Sequence, residues 1–226
     1  MRKIAFLLAA LATGAEAHDM GMQTMMDEMG GQIYAHALLD QFEGRLGTGG
    51  GQFRWDSQGW LGGDDDKLWV KSEGFAEGNG KVTDGDHEVL YDRAISDYFD
   101  LQAGLRSDID SHVTRNWGAF GVQGLAPLFF ELEATGYVSD DGHLAAKFKT
   151  SYDLLLTQRL ILQPEIELNL YSKADPDRKI RAGLSDIDAG LRLRYELSRK
   201  VAPYLGVTYS DQVRGPSAVI GIRSWF

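Results

Sequence analysis

From Arg159 to Ser172 the chain reads RLILQPEIELNLYS. Leu160, Leu162, Pro164, Ile166, Leu168 and Leu170 fall on one face of an extended chain, with Gln163, Glu165, Glu167 and Asn169 on the other. This is the two-residue period of a β-strand, sustained past ten residues. SDIDAGLRLRYEL (185–197) repeats it, with Ile187, Ala189, Leu191, Leu193, Tyr195 and Leu197 opposing Asp186, Asp188, Arg192, Arg194 and Glu196. DYFDLQAGLRSD (97–108) and LFFELEATGYV (128–138) follow the same rule. Such segments fall near 33–44, 51–60, 67–77, 87–95, 98–108, 115–124, 127–138, 143–155, 158–171, 185–197, 201–210 and 217–226, twelve in all, with no helical run between them.

The connectors alternate as well. GDDD, SD, AP, TQ and SRK are tight, whereas GTGGG, GNGKVTDGD, IDSHVTR, the loop of 172–184 and SDQVRGPS are longer and polar. Short turns at one end and long loops at the other predict an all-β fold: an antiparallel up-and-down transmembrane β-barrel of about 12 strands. The chain finishes on SAVIGIRSWF, with Ala218, Ile220, Ile222 and Phe226 in phase, as terminal strands of outer-membrane barrels do. Trp55, Trp60, Trp69, Tyr98, Phe99, Phe129, Phe130 and Tyr204 gather near strand ends, where interfacial aromatic girdles are expected. The inward face would then carry Glu73, Glu131, Glu133, Glu165, Glu167, Asp186, Asp188 and Glu196 with Arg106, Arg192 and Arg194, a mixture suited to paired charges or to a cation-selective path. A secreted soluble β-sandwich or lipocalin-like barrel would alternate too, with the apolar face turned inward. Periodicity alone does not separate the two.

Ahead of the strands, MRKIAFLLAALATGAEA has a basic start, a short apolar run and an A-x-A end, the pattern of a cleaved signal peptide over 1–17. The expected organisation is that signal, a leader over 18–32 and a barrel over 33–226. The formal charge is −10, and removing Arg2, Lys3 and Glu16 makes it −11, which argues against nucleic acid as a partner. There is no cysteine, so rigidity would come from a closed sheet rather than disulfides.

Apart from Met1, every methionine of the chain lies in HDMGMQTMMDEMGG, residues 18–31. Thioether sulfur is soft and selects Cu(I), while imidazole suits Cu(II) as well. His18, Met20, Met22, Met25, Met26 and Met29 are therefore candidate copper ligands, with Asp19, Asp27 and Glu28 favouring approach of a cation. Cleavage after Ala17 would add a free α-amine beside the His18 imidazole. A methionine-bearing flexible tail with no ligand is the plain alternative. His36, in the first strand and in phase with Asp40, is a further candidate metal ligand. His87, His112 and His143 are expected at strand ends or in long loops, as solvated surface.

GVQGLAPLFFELEATGYVSDDG (121–142), YDLLLTQRLILQPEIELNLYSK (152–173) and GLSDIDAGLRLRYELSRKVAPYLGV (183–207) resemble the copper resistance protein B family of bacterial outer-membrane proteins. The resemblance extends to WDSQGWLGGDDDKLWVKSEG (55–74), HEVLYDRAISDYFDLQAGLRSD (87–108) and the methionine-bearing leader. It implies an outer-membrane, copper-binding barrel that supports resistance to excess copper. The partners it implies are copper ions, membrane lipid and a periplasmic multicopper oxidase. The leader is shorter than the family pattern, and so is the loop SDQVRGPS. Two other readings remain: a general porin or structural barrel, and an outer-membrane lipase. The lipase would need a nucleophilic serine, a histidine and a polar partner on one patch. Neighbouring Ser111 and His112 do not supply that arrangement, and no G-x-S-x-G is present.

Overall fold

A computed structural model describes residues 33–47, 50–110, 114–176, 178, 180–211 and 215–226. The described residues form thirteen strand segments. They are β1 Tyr34–Gly47, β2 Gly50–Gly62, β3 Asp66–Glu77, β4 Val82–Ala94, β5 Phe99–Asp108, β6 Arg115–Ala126, β7 Phe130–Ser139, β8 Leu144–Ser151, β9 Leu154–Leu155, β10 Leu160–Tyr171, β11 Gly183–Tyr195, β12 Val201–Ser210 and β13 Gly215–Trp225. The two residues of β9 continue β8 beyond a break at Tyr152 and Asp153, and both segments pair with β10. The thirteen segments thus make twelve staves. Each is antiparallel to its neighbour, and β13 pairs with β1 to close the ring. The amide and carbonyl of Ala37 bond those of Phe226, so the two ends of the barrel chain meet at the short-turn rim.

Side-chain phase decides what faces where. On β10, Glu165 is only 4% exposed while its neighbour Ile166 is 45% exposed; across on β11, Leu191 is 42% exposed and Arg192 2%. The apolar phase faces out and the charged phase faces in. That inversion rules out a soluble sandwich, because water would meet a continuous apolar wall around the whole ring. Among the described residues no helix is long and apolar enough to cross a membrane; the strands themselves do the crossing.

Hydroxyls shape the tight turns. Ser96 accepts from the Phe99 amide at 3.0 Å, and Thr157 from the Leu160 amide at 2.9 Å, as serine and threonine do when they stabilise turns. The expected strand start at 127 is displaced. Pro127–Phe129 forms a 3-10 turn with positive φ at Leu128 and Phe129, and both side chains lie exposed at the short-turn rim. The long-loop end closes differently. At Gly142, φ is +77°, which lets the Ser139–Leu144 connection reverse in a few residues.

The membrane-facing assignment has a direct consequence. Ile166→Arg should cost about 2–4 kcal/mol of barrel stability, the penalty for a cation near the bilayer midplane. Denaturant unfolding of the refolded protein in lipid vesicles measures it, and a variant as stable as Ile166→Val would refute the assignment.

Candidate functional site

The interior of the barrel is filled by charges, and the two halves of the ring use different cations. Over β1, β2, β10 and β11 the cations are arginines. Arg45 donates from Nε to Glu43 at 2.7 Å and from Nη1 to Asp188 at 2.5 Å. Arg54 donates to Glu167 at 2.8 Å, and the Phe75 ring lies about 5 Å from both guanidinium carbons. Arg192 reaches three acceptors: Glu43 at 3.0 Å, Gln41 at 2.9 Å and Glu165 at 3.3 Å. Gln41 passes a bond on to Glu165 at 2.7 Å, and the Tyr204 hydroxyl donates to Glu43 at 2.9 Å. Planar forks that satisfy several carboxylates at once make this a rigid plug.

From β3 round to β8 the cations are mainly lysines. Lys147 bonds Glu73 and lies 3.8 Å from Asp86, while Lys149 bonds Asp56. Lys71 meets Glu133 at 3.0 Å and also donates to Gln102 and Gln123. Lys67 meets Asp100 at 3.2 Å and Asp92 at 3.6 Å. These lysines sit on the polar phase of KLWVK and KFK, so the signal for them was present in the sequence, but their acceptors lie on other staves.

A cavity of about 640 Å³ opens at the long-loop end, lined among the described residues by nine carboxylates and five cationic side chains. Such an acidic excess concentrates cations at a mouth. The β10–β11 connection reaches over it: Asp175 accepts from Arg115 at 2.8 Å, and Arg178 donates to Asp110 at 3.0 Å. In the Ser139–Leu144 loop, the Ser139 hydroxyl hydrogen-bonds Asp141 and, helped by the nearby His143 imidazole, holds that carboxyl below the usual carboxylate range.

His36 lies near the short-turn end of β1, its ring 6.1 Å from Trp60, and Trp60 stands 6.4 Å from Trp69. Asp40, in phase with His36, is taken by Arg223 at 2.6 Å. His18, Met20, Met22, Met25, Met26 and Met29 lie outside the described residues, as do Ser111 and His112. Among the described residues, no three histidine, cysteine or carboxylate side chains converge as a metal-holding group.

Two expectations need correction. Trp60, Trp69 and Tyr204 are not girdle residues: Lys67 lies over Trp60, Lys71 over Trp69, and Tyr204 bonds Glu43, so all three face the lumen. Tyr98, Phe129 and Phe130 do face outward at the short-turn rim. His87 is not at a strand end but well inside β4, on the outward phase with Val89 and Tyr91 and between Ser72 and Ser107 on the adjacent staves. The polar run TDGD had hidden the first part of that strand. There Asp84 and Asp86 point into the lumen, so no apolar alternation is needed.

An antiparallel ring of twelve staves, apolar outside and ion-paired inside, defines the class: an outer-membrane β-barrel. Solved porins share the architecture. The NanC porin superposes over 84% of this chain and 99% of its own with a TM-score of 0.54, and the KdgM porin over 85% and 99% with 0.50, each at 12% identity. Those likenesses establish the fold alone. Residues 33–226 match the family described as copper resistance protein B precursor (CopB), and the chain belongs to that family. Copper resistance protein B of Escherichia coli is 44% identical over 77% of this chain, and the match spans 58% of that protein's length. A homolog from Pseudomonas syringae pv. tomato is 39% identical over 86% of this chain and 70% of its own.

Proposed function

We propose that this protein captures copper at the periplasmic mouth of an outer-membrane barrel with its methionine and histidine leader, then sequesters the ion or passes it along the lumen. The observation that carries this reading is the segregation of methionine. Five thioethers lie in residues 20–29, and the barrel residues 33–226 have none. Barrel cores use methionine as a gap-filler, so its confinement to an acidic, glycine-spaced leader points to ligation.

Short turns of outer-membrane barrels face the periplasm. The β1 end that carries His36 lies at that rim, where an imidazole would extend the leader's ligand set. Copper is cargo here: the chemistry is exchange among soft ligands, with no bond made or broken in a substrate. A periplasmic multicopper oxidase that consumes the captured ion would meet it on the same side.

Deleting residues 18–32 tests the reading. Copper bound per chain in detergent, under reducing and oxidising conditions, should fall close to zero, and copper tolerance of cells carrying the variant should fall with it. Wild-type stoichiometry and tolerance would leave a porin or a purely structural barrel.

A further inference from the structure

The lysine-lined wall of the lumen has properties that the arginine plug lacks. A second cavity, about 30 Å³ and so the size of one water molecule, lies inside the barrel among Glu73, Asp86, Glu88, Glu133 and three lysines. Glu88 is 3% exposed; its Oε1 accepts from the Tyr137 hydroxyl at 2.7 Å, and its Oε2 has no hydrogen-bond partner among the described residues. A buried carboxylate oxygen left bare beside a small cavity is costly unless a water or a cation fills the gap.

Glu73 and Asp86 line both this cavity and the large vestibule above it. The Lys147 ammonium touches both carboxylates, so it stands at the junction of the two spaces. Below, a second series of polar contacts runs toward the short-turn rim. Lys71 links Glu133 to Gln102, Gln102 donates to Asp92 at 2.8 Å, and Lys67 bridges Asp92 to Asp100 near the short-turn rim. Carboxylates therefore recur along the whole height of this wall: Glu73, Glu133, Asp92 and Asp100 meet ammonium groups, Asp86 lies between Lys147 and Arg106, and Glu88 is bonded by Tyr137.

We infer that this wall is a path for small cations, in which Lys147, Lys71 and Lys67 are resident counter-ions that a passing cation displaces, with Lys147 as the gate. Lysine suits the role. It is a compact charge on a flexible stem, free to swing from one carboxylate to the next, whereas the arginines opposite are held by several directional bonds at once. The Lys147 ammonium need swing away from only Glu73 and Asp86 to join the two cavities. Around the inner cavity five carboxylates face three ammonium groups, which favours a cation over an anion. The carboxylates do not converge on one point. The wall thus suits a partly hydrated ion in transit rather than a coordinated metal. The path belongs to the barrel alone, so its failure would leave the copper-capturing leader untouched.

Planar bilayers holding the refolded full-length protein, under a KCl gradient, test the path with K⁺ as the probe. The wild type should give small currents with a reversal potential on the cation side. Lys147→Met frees Glu73 and leaves Asp86 to Arg106 alone at 2.7 Å, and should raise the K⁺ current several-fold while keeping cation selectivity. Lys147→Arg replaces a movable charge with a fork and should lower the current. Glu88→Gln should weaken selectivity for K⁺ over Cl⁻. Lys67→Met, at the other end of the path, gives a second reading of increased current should Lys147→Met fail to yield a heat-modifiable, folded barrel. An anion-selective wild type would overturn the path. So would a folded Lys147→Met or Lys67→Met with unchanged current.

Discussion

Arg192→Met should destabilise the barrel by about 3–5 kcal/mol, the cost of stripping one partner from a buried ion network. The Arg192 guanidinium spans Glu43, Gln41 and Glu165, and it is 2% exposed. Without it, Glu43 keeps Arg45 and Tyr204, while Glu165 keeps Gln41. Two carboxylates then share too few donors in a space that water does not reach. Arg192→Lys keeps the charge but cannot serve three acceptors in a plane, so it should fall between the variant and the wild type. Guanidinium unfolding in detergent micelles measures the difference. A loss below about 1 kcal/mol for Arg192→Met would mean that the plug is ornamental to stability.

Replacing Met20, Met22, Met25, Met26 and Met29 together by leucine should abolish Cu(I) binding and leave the barrel intact. Leucine keeps the apolar volume and removes only the sulfur, so the exchange separates thioether chemistry from the mere presence of a tail. Cu(II) binding at His18 should persist, because imidazole accepts the harder ion without help from sulfur. Titration against a chromophoric Cu(I) chelator, run in parallel with a Cu(II) titration, reads both. Undiminished Cu(I) binding by the five-leucine variant would place the soft site elsewhere and end the leader reading.

Most of the barrel could be read from residue order because strand phase is a local property. RLILQPEIELNLYS told its two faces apart with no knowledge of its neighbours, and the observed β10, Leu160–Tyr171, follows it closely. The same rule could have corrected the tryptophans. Trp60 shares its phase with Arg54, Asp56 and Gln58, and Trp69 with Lys67, Lys71 and Glu73. Closeness to a strand end was the misleading cue. The start of β4 was hidden because its inward positions Asp84 and Asp86 are charged and its outward positions Thr83, Gly85 and His87 are small or polar. The first strand held a different difficulty. Its register shifts between Leu39 and Glu43, so both Asp40 and Gln41 turn toward the lumen.

What the residue order determined by itself was the number of staves and which residues of a strand share a face, with a methionine cluster set ahead of them. The shared faces follow from a period of two, which a short window contains. Only the closed ring decided which charge meets which. Arg192 finds Glu43 far back in the chain, and Lys147 finds Glu73, because closure and stagger bring distant staves face to face across a narrow lumen. The same closure put arginine forks on one wall and mainly lysines on the other, and set the small cavity beside Glu88.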